Sequence, residues 1–273
     1  MFRGFYTAAS GMIAQQRRTE LLTNNMANAN TPGYKTDKSS LRAFPEMLLS
    51  RLDEYGKLAK IPSYTTVGSL NTGVYMQETI PNFVQGDLQE TGNKTDLALL
   101  DIFVPGNQGA NSKGTVFFAV QGANGIRYTR NGNFTVNGLG YLTTADGLNV
   151  LDTNGNPIRV QTDNLKIDEQ GRIFDNGEYV SQLGVSYAAN PDSLVKEGDG
   201  LYRLDNGTLP NAFQVNNIRF RIQQGFTERS NVDAAQTMTD MLAAYRAYES
   251  NQKVLQAYDR SMDKAVNEVG RIN

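Results

Sequence analysis

The chain has 273 residues, which is enough for one sizeable hydrophobic core or two smaller ones, and its net charge of −2 favours neither nucleic acid nor an anionic membrane surface as a partner. It contains no cysteine and no histidine, which excludes disulfides, thiolate or imidazole metal sites and histidine-dependent catalysis. We therefore expect no catalytic residue, no cofactor and no metal. No stretch reaches the roughly 18–20 apolar residues of a membrane span, and the N-terminal residues lack the apolar core of a secretory signal. These features predict a protein that does not insert into a membrane and that is cytoplasmic or exported without a cleaved signal peptide.

The first predicted element is an amphipathic helix over residues 3–30. Its apolar side chains recur every three or four residues, which places them on one face; they are Phe5, Ala9, Met12, Leu22, Met26 and Ala29. The run Thr31-Pro32-Gly33 predicts the helix end, because proline disfavours helix in the residue before it and glycine permits a reversal. Asparagines at 24, 25, 28 and 30 precede this stop, and physical chemistry alone favours a fraying helix end there.

Residues 34–70 form a predicted connector. The run Phe44–Leu52 suggests a short helix. The polar run Gly56–Leu70, which contains Gly, Pro and Ser, suggests a mobile link.

Residues 71–225 predict an antiparallel β-rich domain that folds without either end of the chain. Asn-Gly or Asp-Gly pairs recur along this segment, and both types of pair favour the positive φ angles of tight hairpins. The strand-like runs between them are Thr115–Val120, Asn133–Val136, Tyr141–Thr144, Pro157–Val160, Leu165–Asp168 and Tyr179–Tyr187.

The last predicted element is a long helix over about residues 231–270, which Ser230 or Asn231 could cap. A row of apolar residues recurs every seven positions, which fits a coiled-coil or bundle seam; it consists of Met241, Tyr248, Leu255, Met262 and Val269. Such a row more often serves only its own monomer. Because both helices lie at the ends of the chain, a lone helix pair should be marginally stable, and neighbouring subunits would stabilise it.

Charged residues in the β segment suggest no strong catalytic site. Arg127, Tyr128 and Arg130 are interpreted as a solvated hairpin face. Acidic residues scattered in turns bond locally in most proteins; here they are Asp152, Asp163, Asp168 and Asp175. A polysaccharide hydrolase remains the competing class, and it would need two carboxylates about 5–10 Å apart in a groove.

Several runs resemble the signatures of flagellar rod and hook proteins. The N-terminal runs are Ser10–Met12 and Asn24–Lys35, and the C-terminal runs are Ser230–Asp233 and Tyr245–Leu255. Between them lie Gln85–Leu88, Thr91–Asn93 and Tyr128–Phe134, in the order of the family. The resemblance spans nearly the whole chain.

The resemblance implies a structural subunit of the flagellar rod–hook axis that polymerises through its terminal helices and transmits torque for motility. Its implied partners are other rod and hook subunits, further copies of itself and the flagellar export apparatus. Length and a single β-domain favour the distal rod protein or the long proximal one. The separation of Leu97–Leu100 from Thr115–Val120 indicates a divergent Gram-positive-type homologue. A hook-type subunit and an assembly adaptor or cap remain alternatives.

The predicted architecture is mainly β with α. An N-terminal axial helix (1–33) leads through the connector (34–70) to the β-rich outer domain (71–225) and a C-terminal axial helix (226–273), and the two helices are able to pair as a coiled coil. The resemblance also implies that the asparagine cluster contacts neighbouring subunits. The predicted assembly interface consists of Phe5, Met12, Leu22, Asn25, Met26, Asn28, Asn30, Met241, Tyr245, Tyr248, Leu255 and Met262.

Overall fold

The computed structural model describes residues 2–53, 63–106, 113–123, 125–162 and 165–269. The chain divides into two compact units. The helical unit comprises Met1–Met26, Lys38–Thr79 and Ala234–Asn273, and the β unit comprises Ala27–Asp37 and Ile80–Asp233. Among the described residues, no helix has the length and apolar character needed to cross a membrane.

The helical unit contains the two long helices and a β-ribbon. Helix α1 spans Phe2–Ala27, and helix α2 spans Ala234–Lys264 and continues into a π-helical segment at Ala265–Val269. The ribbon strands are β1 (Asp37–Ala43), β2 (Met47–Asp53), β3 (Ser63–Leu70) and β4 (Val74–Pro81). Strand β1 pairs with β4, and β2 pairs with β3 in antiparallel register.

The prediction of a short helix over Phe44–Leu52 is wrong, because strand β2 occupies most of this run. Met47 pairs with Leu70 and Asp53 with Ser63. The partner strand β3 is rich in threonine, tyrosine and valine, which fit a pleated strand. Pairing with β3 therefore overrides the helix propensity of Met47-Leu48-Leu49. The predicted mobile link is a strand from Ser63 onward, and its positions 56–62 lie outside the described residues.

The β unit contains fourteen described strands. They are β5 (Leu88–Glu90), β6 (Leu97–Phe103), β7 (Thr115–Gly122), β8 (Gly125–Thr129), β9 (Phe134–Val136), β10 (Leu142–Thr144), β11 (Leu165–Ile167), β12 (Arg172–Asp175), β13 (Glu178–Gln182), β14 (Val185–Ala188), β15 (Leu194–Gly198), β16 (Leu201–Leu204), β17 (Arg219–Gln224) and β18 (Phe226–Glu228). The largest sheet has the order β14-β7-β8-β16-β15, and its paired strands are antiparallel. Strands β11-β12-β13 form a three-stranded sheet, and three further pairs are β17-β6, β18-β5 and β10-β9.

These strands confirm a mainly β chain with one helix at each end. The predicted strand over Tyr179–Tyr187 is two strands, β13 and β14, and Pro157–Val160 forms isolated bridges only. The predicted boundaries 71–225 stay a prediction. The compact β unit also includes Ala27–Asp37 and extends to Asp233.

Two apolar clusters form the core of the β unit. Phe118 and Phe134 lie in the larger cluster, with ring centroids 5.1 Å apart in an edge-on arrangement. Phe83, Phe117 and Tyr202 lie in the smaller one, where each pair of rings is within 5.7 Å. Aromatic pairs at such distances stabilise a core beyond the area they bury.

Candidate functional site: the terminal junction and the helix surfaces

Four charged side chains form a network in the β unit, which we call the charge quartet: Lys35, Asp101, Arg130 and Glu228. Lys35 Nζ lies 2.5 Å from Glu228 Oε1, and Arg130 Nε donates to Glu228 Oε2 at 2.8 Å. Arg130 Nη1 also donates to Asp101 Oδ1 at 3.0 Å. The side chains of Lys35, Arg130 and Glu228 have no exposed surface. Three members of the quartet are therefore fully desolvated and depend on one another for charge compensation.

Backbone groups complete the bonding of the quartet. Arg130 donates to the carbonyl oxygens of Val116 at 2.7 Å and Leu99 at 3.2 Å, so the guanidinium is held by two core strands. Lys35 Nζ donates to the carbonyl oxygen of Val84 at 2.9 Å. The amide of Gly86 donates to Glu228 Oε1 at 2.8 Å. These hydrogen bonds to backbone groups offset part of the desolvation cost of the buried charges.

Burial and mutual charge shift the ionisation of the quartet in different directions. Burial, helped by the nearby Arg130 charge, lowers the pKa of Lys35 to about 8, although Glu228 opposes the shift. Burial raises the pKa of Glu228, but the charges of Arg130 and Lys35 outweigh that effect and hold it below its usual range. For Asp101 burial prevails, and its pKa is raised. Lys35 is thus the cation of the quartet that loses its charge most easily.

The interpretation of Arg127, Tyr128 and Arg130 as a solvated face is wrong for two of the three. Tyr128 is 2% exposed and Arg130 is 1% exposed. Tyr128 Oη accepts a hydrogen bond from the Leu209 amide at 2.8 Å. The carboxylates that compensate Arg130 come from distant parts of the sequence, so no local pattern reveals them. Arg127 keeps partial exposure and pairs with Glu197.

The chain segments that follow α1 and precede α2 are joined beside the quartet. The Gly33 amide donates to the Glu228 carbonyl oxygen at 2.7 Å. Asn231 Oδ1 accepts from the Thr36 amide at 2.8 Å and from Thr36 Oγ1 at 2.6 Å. Asn231 Nδ2 donates to the carbonyl oxygens of Asn82 at 2.8 Å and Val84 at 3.0 Å. The Asn231 side chain, predicted as a helix cap, instead bridges both terminal segments to the start of the β unit.

Gly33 allows this junction to close. Its φ angle is +69°, and a Cβ there would lie 2.4 Å from the carbonyl carbon of Arg130. Neither the backbone conformation nor the space admits a side chain. The N-terminal run ending at Lys35, the run Tyr128–Phe134 and the segment leading to Asn231 therefore meet at one place, which we call the terminal junction.

In the helical unit, α1 and α2 contact each other with opposite directions. A Cβ at Gly4 would lie 2.0 Å from Tyr258 Oη, and one at Gly11 would lie 2.9 Å from Asn251 Nδ2. Near the other end of α1, Thr23 Oγ1 donates to Met241 Sδ at 3.7 Å. Because the numbers rise along α1 as they fall along α2, the helices are antiparallel where they touch.

Small residues occupy the buried positions of both helices. The described buried residues are Ala8, Gly11, Ala14 and Asn25 in α1, and Thr237 and Ala244 in α2. The large apolar residues at predicted interface positions are only partly buried: Phe5, Met12, Leu22, Met26, Met241, Tyr248, Leu255 and Met262. The buried face thus runs through small side chains that hydrophobic periodicity does not single out.

The remaining predicted interface positions are divided between buried and exposed environments. Asn25 is 1% exposed. Asn28 is partly buried, and its Oδ1 accepts from Thr31 Oγ1 at 3.1 Å. Asn30 is exposed, and Tyr245 is 54% exposed.

Two neighbours of Tyr245 on the same face of α2 are absent from the predicted interface, although the sequence pattern places Met238 in the same seven-residue row as Tyr245. Met238 is 53% exposed and Leu242 is 49% exposed, and the spacing of four and three residues aligns them with Tyr245. We call Met238, Leu242 and Tyr245 the outward stripe. On α1, Tyr6 and Ile13 are also at least half exposed and lie seven residues apart.

Of the acidic residues assigned to turns, Asp152 and Asp168 bond to residues two to four positions away. The prediction of local bonding is wrong for Asp175, which lies in strand β12 and bonds to Gln161 and Thr162. Asp152 Oδ1 accepts from the amides of Asn154 and Asn156, each at 2.8 Å. Asp168 Oδ1 accepts from the Gln170 amide at 3.0 Å, and Asp175 Oδ2 accepts from the Gln161 amide at 2.6 Å. Asp163 lies outside the described residues. Within the described ranges, no group of three or more acidic residues is placed to hold a metal ion.

Family models match three parts of the chain. The model for flagella basal body rod proteins matches residues 5–35, and the model for the D1 domain of flagellar hook proteins FlgE/F/G matches residues 113–175. The C-terminal model of the flagellar basal body rod proteins FlgEFG matches residues 223–268. These ranges contain Lys35, Arg130 and Glu228, so the terminal junction is assembled from all three.

Relatives match over nearly the full length. The flagellar hook-basal body complex protein FlhO of Bacillus subtilis is 48% identical over 100% of both chains. The basal-body rod protein FlgG of the same organism is 30% identical over 98% of this chain and 99% of its own. The rod protein FlgF of Caulobacter vibrioides is 30% identical over 100% of both chains.

A β unit that joins its two terminal segments, together with helices that expose apolar side chains, defines a structural subunit of a larger assembly. The chain belongs to the flagellar basal-body rod and hook protein family. It is a structural subunit of the basal body of the bacterial flagellum, it serves motility, and it associates with other rod and hook subunits. The B. subtilis relatives agree with the Gram-positive-type homology predicted from the sequence.

Proposed function

We propose that this protein builds part of the rod–hook axis by polymerising through its terminal helices, and that the polymer transmits torque. The observation that carries the proposal is the outward stripe of Met238, Leu242 and Tyr245. Each of these side chains is about half exposed, and they share one face of α2. Full burial of such a side chain contributes roughly 1.5–3 kcal/mol. Contacts with neighbouring copies would supply that burial.

The small residues between α1 and α2 support a coiled-coil-like pairing within each subunit. Glycine at positions 4 and 11 leaves room on α1 for the Tyr258 and Asn251 side chains of α2. Tyr6 and Ile13 of α1 then offer a second apolar surface. Two apolar surfaces on different helices suit a polymer in which each subunit touches more than one neighbour.

The similarity to FlhO, at 48% identity against 30% for FlgG, supports a role like that of the FlhO subunit in the hook-basal body complex. We further propose delivery through the flagellar export apparatus, with a recognition signal near the N-terminus. The role is structural, without catalysis. Hydrolysis of peptidoglycan by the purified chain, abolished by substitution of one carboxylate, would contradict this part of the proposal.

The test is a matched pair of substitutions on α2. Tyr245→Asp places a charge in the outward stripe, whereas Ser250→Asp places the same side chain at another exposed position of the helix. An unpaired carboxylate in a dry contact costs several kcal/mol even after the surroundings relax. In a strain lacking the chromosomal gene, Tyr245→Asp should abolish swimming and axis assembly seen by electron microscopy of basal bodies. Ser250→Asp should preserve both.

The two variants must be produced at equal levels and unfold at the same temperature in isolation. Normal basal bodies in the Tyr245→Asp strain would show that the outward stripe is not the polymer contact. Loss of assembly in both strains would show that any added charge on the helix blocks assembly, which would contradict the assignment of the outward stripe as the polymer contact.

A further inference from the structure

The members of the charge quartet are spread along the whole chain. Lys35 lies near the N-terminus, Asp101 and Arg130 lie in the middle, and Glu228 lies in the last fifth. Glu228 is the member that contacts both cations, with Oε1 on Lys35 and Oε2 on Arg130. The compensation of two buried cations therefore depends on a residue that is synthesised late.

A chain without Glu228 would bury an unbalanced charge. Lys35 would keep the Val84 carbonyl but lose its carboxylate. Arg130 would keep the Val116 and Leu99 carbonyls and one carboxylate, Asp101. In the complete chain the side chains of Lys35 and Arg130 have no exposed surface, so a Glu228→Gln chain that keeps this fold would hold two buried cations with the single carboxylate of Asp101. Removing one partner of a buried ion pair is strongly destabilising because the other charge remains desolvated.

The same stretch carries further bonds that close the β unit. Strand β18, which ends at Glu228, pairs with β5. The Glu228 carbonyl accepts from Gly33, and Asn231 holds Thr36, Asn82 and Val84. The region that balances the charge thus also fastens the N-terminal segment to the β unit.

We propose that the charge quartet makes folding of the β unit conditional on the presence of both chain ends. A chain that emerges N-terminus first stays unfolded until Glu228 is free to reach Lys35 and Arg130. A subunit truncated before Glu228 therefore has no folded β unit and does not contribute to any assembly. This condition is a property of the single chain and holds whatever the chain assembles with. It is the opposite of the sequence-based expectation that residues 71–225 fold alone, because that segment contains neither Lys35 nor Glu228.

The first test measures whether charge balance, and not only contact, sets stability. Full-length chains carrying Glu228→Gln, Lys35→Met or both are unfolded by heat and by urea, which does not screen charges. Glu228→Gln should lower the midpoint of thermal unfolding by about 10 °C or more. Glu197→Gln, which alters partly exposed ion pairs with Arg127 and Arg203, should lower it by less than about 3 °C.

The double variant distinguishes a charge balance from simple loss of contacts. With Lys35→Met and Glu228→Gln together, Arg130 and Asp101 remain as a neutral pair. The double variant should therefore recover at least half of the midpoint lost by Glu228→Gln. If Glu228→Gln does not fold, the double variant should still unfold in a cooperative transition, and absence of that transition would overturn the proposal. A double variant as unstable as the sum of the two single losses would overturn the proposal.

The second test follows the chain as it emerges. Nascent chains are stalled on ribosomes at two points of the coding sequence, so that residues up to about 225 or up to about 240 have left the exit tunnel, and are exposed to protease. The shorter exposure should leave the β unit sensitive and the longer one should protect it, whereas Glu228→Gln should stay sensitive at both. Protection at the shorter exposure would overturn the proposal, and the proposal requires the expected result in both tests.

Discussion

The β unit and the helical unit differ in how far they bury their large apolar side chains. Phe117, Phe118 and Phe134 of the β unit have no exposed surface. Among the described residues of α1 and α2, the buried hydrophobic residues are alanines: Ala8, Ala14 and Ala244. Each Phe buried in the β unit stabilises the chain that carries it. The large apolar residues of the helices contribute a comparable free energy of burial only when another surface covers them.

The two units also differ in how they use charge. The β unit encloses the charge quartet, whose members come from its first, middle and last segments. On α1 and α2, hydrogen bonds between side chains four residues apart are exposed; examples are Gln16 to Glu20 and Gln236 to Asp240. The β unit therefore compensates its buried charges with contacts inside the chain. The helical unit keeps its polar contacts in solvent, and its exposed apolar side chains would need another surface to bury them.

The largest expected effect is the loss of an aromatic ring from the β unit. Phe118→Ala removes a ring that packs edge-on against Phe134, and should lower the free energy of unfolding by about 3–5 kcal/mol because a cavity remains. Tyr245→Ala, in the outward stripe, should change it by less than about 0.5 kcal/mol in the isolated chain. Urea unfolding followed by circular dichroism measures both. Equal losses would remove the distinction between the units.

Adding a methyl group at Gly33 should have the next largest effect. Gly33→Ala forces a side chain against the Arg130 backbone at a positive φ, which should cost about 2–3 kcal/mol of unfolding free energy. Gly138→Ala is the control, because a Cβ there meets nothing within 4 Å. It should be neutral within about 0.5 kcal/mol. If Gly33→Ala were as stable as Gly138→Ala, the terminal junction would be looser than described.

A rise in pH should stabilise the wild-type β unit through Lys35. Its pKa in the folded chain is about 8, below the value of about 10.4 for an unfolded lysine, so the folded state releases its proton first. Between these values the unfolded chain binds more protons, and stability increases with pH. From about pH 7.5 to about pH 9.5 the wild type should gain about 1–2 kcal/mol relative to Lys35→Met. Parallel stability curves for the two proteins would contradict the assigned shift.

The smallest expected effect is the same change of glycine to alanine in the helical unit. At Gly11 a Cβ would lie 2.9 Å from Asn251 Nδ2, which belongs to a flexible side chain that is able to move. The gain in helix propensity, about 1 kcal/mol, offsets that displacement. The isolated Gly11→Ala chain should therefore differ from wild type by less than about 1 kcal/mol, measured by urea unfolding. A loss as large as that of Gly33→Ala would show that the helix contact is as rigid as the junction.

Local sequence signals predicted most strands of the β unit because turn chemistry is local. Asn176 and Gly177 have φ angles of 50° and 89° and join β12 to β13, as their dipeptide indicates. The strand β2 was not predictable from Met47-Leu48-Leu49 alone, because its conformation depends on pairing with β3. The sequence of a turn is enough to predict a hairpin. Whether a short apolar run forms a helix or a strand depends on the strand with which it pairs.

The charge quartet could not be predicted for a related reason. Arg130 and Glu228 are 98 positions apart, and nothing in the periodicity around either marks it as buried. The resemblance did single out runs containing Lys35 and Arg130, although it assigned them no partner. In the helices, periodicity selected large residues such as Met241, which does contact Thr23 of α1. It did not select Gly4 and Gly11, which lie against Tyr258 and Asn251 and carry little hydrophobic signal.

The central claim is that the outward stripe is covered by neighbouring subunits, and labelling of a single cysteine tests it directly. The natural chain has no cysteine, so Tyr245→Cys introduces a unique thiol. A maleimide reagent should label this thiol in the purified subunit and fail to label it in intact basal bodies that assemble normally. Asp146→Cys, in an exposed turn of the β unit, controls for access of the reagent and should be labelled in both preparations. Equal labelling of Tyr245→Cys in the free subunit and in the basal body would contradict the account.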